Sequence, residues 1–244
     1  MINSSMGKHL KSVYQHSLPY PHIIFDNFIQ DDIAKQCYID MKNYQNWGSD
    51  NMMGYHEDWR DSQINKWFTP WDSQSMDDIR TQMPVVGKTI DYFNSPLFLK
   101  FLSELTGIKD LIADKDMAGG GCHKISKGGR LEIHSDYNKH PNNGLWRRIN
   151  LLLYLTPNWE SEWGGDLELW NHDPFVKTKS LQPKFNRAVI FNTTDTALHG
   201  HPQLLNVPDG EHRYSIALYY FTKDRPDEEK SDSQSAIWYK TQYL

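Results

Sequence analysis

The chain has 244 residues and a formal net charge of −5, enough length for one large domain with its own core and the wrong balance for a nucleic-acid surface. No run of about 18 apolar residues offers a membrane-spanning helix, and Met1 to Lys8 lack the apolar stretch of a secretory signal. Cys37 and Cys122 fit neither a disulfide framework nor a zinc spacing, so a reducing cytoplasm is the expected location.

In chain order, residues 21–29 read as a strand rich in aromatic and β-branched side chains. Asp31 and Asp32 then open a helical pattern through Ile33, Cys37, Ile39 and Met41, with acid in the first turn, where the helix dipole favours it. Residues 44–72 are polar and aromatic without a clear period, and read as a long loop. Its Trp47, Tyr55, Trp59, Trp67, Phe68 and Trp71 are candidates for a lid over a cleft. Helical spacing returns over about 76–92 and again over 95–105, closing at Thr106-Gly107. Beyond Gly119 the period becomes two, and strands are expected near 119–126, 130–136, 147–155, 165–170, 187–192 and 213–222. Gly128-Gly129, Gly164-Gly165 and Pro208-Asp209-Gly210 mark turns. Residues 223–235 read as a solvated linker, after which Ala236-Ile237-Trp238-Tyr239 and Tyr243-Leu244 are apolar enough to dock on the body or on a second copy. Helices first and antiparallel strands afterwards is the order of an α+β chain, mainly β.

Alternation assigns faces within the two best strands. Ile149, Leu151, Leu153 and Leu155 form one apolar face, while Arg148, Asn150, Leu152 and Tyr154 form the face that a reactive cavity would use. Only one of Arg147 and Arg148 can look inward, where it would meet an anionic substrate. On the last strand Arg213 shares its face with Ser215, Ala217 and Tyr219, and the small residues leave room for a ligand.

The chemistry lies in His134 and Asp136, which are two apart in an expected strand and project an imidazole and a carboxylate into one space. A distant histidine in Ala197-Leu198-His199-Gly200-His201-Pro202 would complete two histidines and one carboxylate. That set leaves the opposite positions open and suits non-haem Fe(II). His199 and His201 are also two apart, so spacing alone does not separate them. Arg213 offers a planar fork able to hold a carboxylate through two parallel hydrogen bonds.

Taken together, the motifs resemble the Fe(II)/2-oxoglutarate-dependent oxygenases, in their prolyl-4-hydroxylase-like branch. The matching residues are Gly119 to His123, Gly128 to Leu131, His134 to Tyr137, Arg147 to Leu155, Trp163 to Trp170, Phe185 to Arg187, His199 to Pro202, and Gly210 with Arg213 to Ser215. The resemblance covers roughly 115–222 and extends more loosely to Pro21 to Phe28 and Leu105 to Ile108. It implies a double-stranded β-helix, or jelly roll, buttressed by N-terminal helices. Residues 1–112 would be a strand and helices on the barrel, 113–224 the catalytic core and 225–244 a tail, in one structural unit.

The same resemblance implies that His134, Asp136 and His199 hold Fe(II), since His199 rather than His201 falls at the family's ligand place. Arg213 would bind the far carboxylate of 2-oxoglutarate, with Tyr154 as a second donor and Ser215, Asn150 and His123 in the co-substrate shell. Dioxygen would be the other co-substrate and ascorbate a stimulant. The implied reaction hydroxylates an unactivated C–H bond and releases succinate and CO2, on peptidyl proline or on a small molecule such as a free amino acid or sugar. A monomer or homodimer is expected, with neither nucleic acid nor membrane as partner. Two competing classes are a non-catalytic binding module on this barrel and a cupin-like metal hydrolase or isomerase. Neither consumes 2-oxoglutarate, so succinate formation separates them.

Overall fold

The computed structural model describes residues 4–49, 62–69, 75–115 and 117–241. The N-terminal part carries α1 (Ser4–Gln15), β1 (His22–Phe25), α2 (Asp31–Asn43), β2 (Gly48–Ser49), β3 (Gln63–Phe68), α3 (Ser75–Gln82), α4 (Pro84–Phe93), α5 (Pro96–Thr106) and β4 (Ile112–Ala113). Then follow β5 (Gly121–Ser135), β6 (Trp146–Tyr154), β7 (Leu167–Asn171), β8 (Val176–Leu181), β9 (Arg187–Asn192), β10 (Leu198–His201), β11 (Arg213–Thr222) and β12 (Ile237–Tyr239). The main path of the sheet is β1-β9-β6-β11-β5-β10-β7-β8.

The long strand β5 joins the two halves of that path. Its first part pairs antiparallel with β11, from Gly121 opposite Ala217 to Ile125 opposite Arg213. Its second part pairs with β10, where His134 stands opposite His199. Between them, Gly128 adopts φ +74° and the strand bends. One strand serving two neighbours in sequence curls the sheet over itself, which makes the mainly β jelly roll expected of this chain.

The helices close the outer face. In β6, Ile149, Leu151 and Leu153 are fully buried against them, and in β11 so are Ile216 and Tyr220. From the helical side come Met41, Val86, Ile90, Phe98 and Leu102. Burying each such aliphatic or aromatic side chain contributes about 1.5–3 kcal/mol, so this seam is the core. The alternate residues of both strands, Asn150, Tyr154, Arg213, Ser215, Ala217 and Tyr219, line an interior cavity.

Some expectations change. Residues 76–92 form two helices because Pro84 lacks the N–H needed to continue α3 and instead starts α4. The α2 carboxylate of Asp40 accepts hydrogen bonds from Val85 N–H at 2.8 Å and Val86 N–H at 3.3 Å, satisfying donors at the new N-terminus. Helix α1 was not expected; its Tyr14 is buried against the core, and Leu10, four positions earlier, packs beside it. The supposed loop 44–72 contains β3, paired to β5 from Gln63 opposite Leu131 to Phe68 opposite His123. The side of β3 that lines the cavity carries Gln63, Lys66 and Phe68, so it shows no apolar alternation. Tyr55, Trp59 and Trp71 lie outside the described residues.

Candidate metal centre and co-substrate pocket

His134 near the end of β5, Asp136 just beyond it and His199 in β10 converge, each offering one ligand atom within 4.8 Å of the others. His134 Nε2 lies 3.5 Å from Asp136 Oδ1, and His199 Nε2 lies 3.5 Å from Asp136 Oδ2. Each imidazole is oriented from behind: His134 Nδ1 is 2.8 Å from the Glu132 carbonyl and His199 Nδ1 is 3.1 Å from the Ala197 carbonyl. A carbonyl only accepts, so both Nδ1 atoms carry the proton and both Nε2 lone pairs face the carboxylate. Metal-binding histidines are oriented in this way, and the donor set fits a divalent transition metal with open positions opposite.

The charges around the triad agree. Burial opposes ionisation of Asp136, but the neighbouring Arg147 guanidinium leads the influences that outweigh it and hold the carboxyl well below the usual range. Burial, the largest influence on His199, lowers its pKa to about 4, leaving a neutral ligand at ordinary pH. Arg147 Nη2 stands 2.9 Å from Asp136 Oδ2, a close ion pair rather than an aligned hydrogen bond. Its guanidinium is stacked 3.4 Å from the Tyr219 ring centroid and 4.6 Å from that of Tyr137. Asn150 Nδ2 donates to the same Asp136 oxygen at 3.4 Å.

The triad opens into a cavity of about 470 Å³. Arg213 lines the same cavity and is only 5% exposed. Its Nε donates to the Gly165 carbonyl at 2.9 Å, its Nη2 to the Tyr154 hydroxyl at 3.4 Å, and it forms no ion pair among the described residues. Gly165 has φ +72°, and a Cβ there would sit 2.4 Å from Leu205 Cδ2 and 3.2 Å from Arg213 Cδ, so this glycine makes room for the arginine. A buried guanidinium without a counter-ion is costly, and an anionic ligand would relieve it. His123, Ser215, Lys66 and His201 line the same cavity. Burial, with Lys66 and Arg213 adding to it, holds His123 well below its ordinary pKa. His201 has the same buried character, and neither of its ring nitrogens has a hydrogen-bond partner.

His134, Asp136, His199, Arg213, Tyr154, Ser215, Asn150 and His123 therefore line one cavity, and His201 lines it too without joining the triad. Of the two distal histidines only His199 joins the ligand cluster, and the pairing between β10 and β5 is irregular between His199 and His201. Gly200 permits it: a Cβ there would lie 2.6 Å from the Glu132 carbonyl oxygen. A second bulge corrects the arginine assignment. The pairing of β11 with β6 shifts between Tyr220 and Phe221, so that Arg147 lines the cavity. Arg148 instead lies 3.4 Å from Thr222 Oγ1 and 3.4 Å from Glu229. Sequence reasoning missed Lys66, hidden in the supposed loop, and the contribution of Gln234 and Trp238, which line the cavity from beyond the supposed linker. The apolar run ending in Tyr239 was the available signal for the latter.

A curled antiparallel sheet thus carries a two-histidine, one-carboxylate cluster that could hold a metal, with a buried arginine in the same cavity. Residues 120–221 match the model of the 2OG-Fe(II) oxygenase superfamily. It is 26% identical over 208 residues to prolyl 3-hydroxylase OGFOD1 of Mus musculus, covering 83% of this chain and 33% of that protein. The Xenopus laevis counterpart is 24% identical over 225 residues, covering 88% and 38%. The chain thus spans between about a third and two fifths of the length of the curated relatives it matches. Among solved structures, a Trichoplax adhaerens prolyl hydroxylase in complex with a hypoxia inducible factor peptide fragment aligns with TM-score 0.53 and 18% identity, covering 90% of this chain and 92% of that one. HygX from Streptomyces hygroscopicus, with nickel, 2-oxoglutarate and hygromycin B bound, aligns with TM-score 0.59 and 10% identity, covering 93% and 96%. At these identities the structural likeness concerns the fold.

Proposed function

We propose that this chain is an Fe(II)- and 2-oxoglutarate-dependent dioxygenase that hydroxylates a prolyl residue of a peptide. The observation that carries the reading is the pairing, in one cavity, of a two-histidine, one-carboxylate triad with a buried arginine lacking a counter-ion. The prolyl substrate is supported by the curated relatives, which are prolyl 3-hydroxylases. Two buried free thiols, Cys37 and Cys122, support a reducing compartment.

His134, Asp136 and His199 would hold the metal, and Arg213 with Tyr154 the far carboxylate of 2-oxoglutarate. The bound iron and co-substrate supply dioxygen activation coupled to decarboxylation to succinate and CO2. The remaining work belongs to side chains. Ser215, His123 and His201 border the co-substrate end, where burial removes competing water and strengthens each polar contact. Arg147 and Asn150 fix the orientation of the Asp136 carboxylate from the opposite side. Tyr137 and Tyr219 wall the outer cavity, and their hydroxyls are tied to the Ala118 and Gly119 carbonyls at 2.6 and 2.8 Å. These walls would hold the reacting C–H bond in place.

Incubation with Fe(II), 2-oxoglutarate, ascorbate and a panel of proline-containing peptides tests the reading. The expected result is succinate formation stimulated by a peptide that gains one oxygen atom on proline. Succinate without any peptide stimulation, increased instead by free amino acids or sugars, would move the substrate to the small-molecule class.

A further inference from the structure

The segment 231–241 makes contacts that the reaction as described does not use. Strand β12 pairs antiparallel with β5 over the metal-binding stretch, placing Ile237 opposite Ser135, Trp238 opposite His134 and Tyr239 opposite Ile133. His134 thereby has a strand on each side, β10 on one and β12 on the other. The Trp238 indole stacks on the His134 imidazole, with centroids 4.5 Å apart and planes at 29°. The same segment reaches the residue that orients His134. Thr241 Oγ1 donates to the buried Glu132 carboxylate at 3.0 Å, and the Glu132 carbonyl is the acceptor for His134 Nδ1–H.

Docking is secured away from the triad as well. The Asn138 amide donates to Ser231 Oγ and to the Asp232 carbonyl, both at 2.8 Å, and its oxygen accepts from Gln234 N–H at 3.0 Å. Tyr239 stacks on Phe175 with centroids 5.5 Å apart. These anchors hold in place a segment whose centre lies against the imidazole of His134.

We propose that segment 231–241 is a working part of the metal centre, in which Trp238 is a positioning residue that fixes the plane of the His134 imidazole. The inference rests on the metal-centre reading above. An imidazole fixed only at Nδ1 can still tilt about that hydrogen bond. A stacked indole removes that freedom before the metal arrives, so less orientational entropy is lost on binding. Residues that orient metal ligands typically change metal affinity by 10–100-fold when removed. Reciprocity follows: if the docked segment tightens metal binding, the metal must tighten docking by the same factor.

Mn(II) alone serves as the probe, titrated under nitrogen and followed by the loss of its free-ion magnetic resonance signal. Trp238→Ala should bind Mn(II) about tenfold more weakly, while Trp238→Phe, which keeps a ring over His134, should stay close to wild type. Thermal melting of the metal-free proteins checks that the alanine variant is folded, as expected for a half-buried position. In parallel, Mn(II) should slow amide exchange at Ile237 to Tyr239 in the wild type, and this protection should vanish in Trp238→Ala. Wild-type affinity in a folded Trp238→Ala, or exchange at 237–239 indifferent to Mn(II), overturns the proposal. A wild type that binds no Mn(II) would remove the metal centre itself, a result distinguishable from the loss of tail coupling alone.

Discussion

Arg213 and the triad divide the labour of the cavity between two charges that must not meet. In the proposed reading the arginine would face a co-substrate carboxylate, whereas Asp136, paired with Arg147, would serve the metal. A charge-assisted hydrogen bond to a carboxylate contributes about 1.5–3 kcal/mol, and about 1.4 kcal/mol is tenfold in affinity. Arg213→Ala should therefore weaken 2-oxoglutarate binding by roughly one to two powers of ten with metal affinity unchanged, and Arg213→Lys should fall between; calorimetric titration of the Mn(II) protein with 2-oxoglutarate checks both. His199→Ala should lose metal and His201→Ala should keep it, since only His199 converges with Asp136. The buried imidazoles also set a pH dependence. Burial lowers His199 from 6.5 to about 4 and lowers His123 and His201 in the same direction. In that window the unfolded chain binds protons that the folded one refuses, so stability rises with pH and is lost on acidification. Melting temperature of the metal-free protein should fall as pH drops from 6.5 toward 4, and a flat profile would mean that these imidazoles are not held neutral.

Strands and their irregularities explain which parts of this site could be read in advance. The pair His134 and Asp136 was legible because side chains two apart on a strand share a face. The same rule failed wherever a bulge intervened. It could not part His199 from His201, and it put Arg148 where Arg147 stands, because a bulge shifts facing by one residue without leaving a mark in the hydrophobic pattern. Strand β3 escaped notice for a related reason: its inner side chains, Gln63, Lys66 and Phe68, line the cavity rather than a core and mix polar with apolar. Gly200 is the tightest of these points. Gly200→Ala would force a methyl group to 2.6 Å from the Glu132 oxygen, so β10 must withdraw from β5. The expected loss is about 1–3 kcal/mol of stability, read from the urea midpoint, together with weakened metal binding. An unchanged midpoint and affinity would mean that the two strands are not held as closely as described.

For the molecule as a whole, helices on one side and the cavity on the other share the same two strands, β6 and β11. Their outward residues build the core while their inward ones build the site, so stability and function can be separated by alternation. Leu151→Ala, on the helix-facing side and fully buried, should cost about 2–5 kcal/mol of stability in chemical denaturation while leaving 2-oxoglutarate affinity intact in the folded fraction. The coupling of iron and co-substrate in a single cavity is open to direct observation. Anaerobic Fe(II) protein titrated with 2-oxoglutarate should develop the visible charge-transfer band of a chelated 2-oxo acid. That band should be absent in His199→Ala and should need more 2-oxoglutarate in Arg213→Ala. No band in the wild type, or an undiminished one in His199→Ala, would contradict an Fe(II)/2-oxoglutarate centre at this triad.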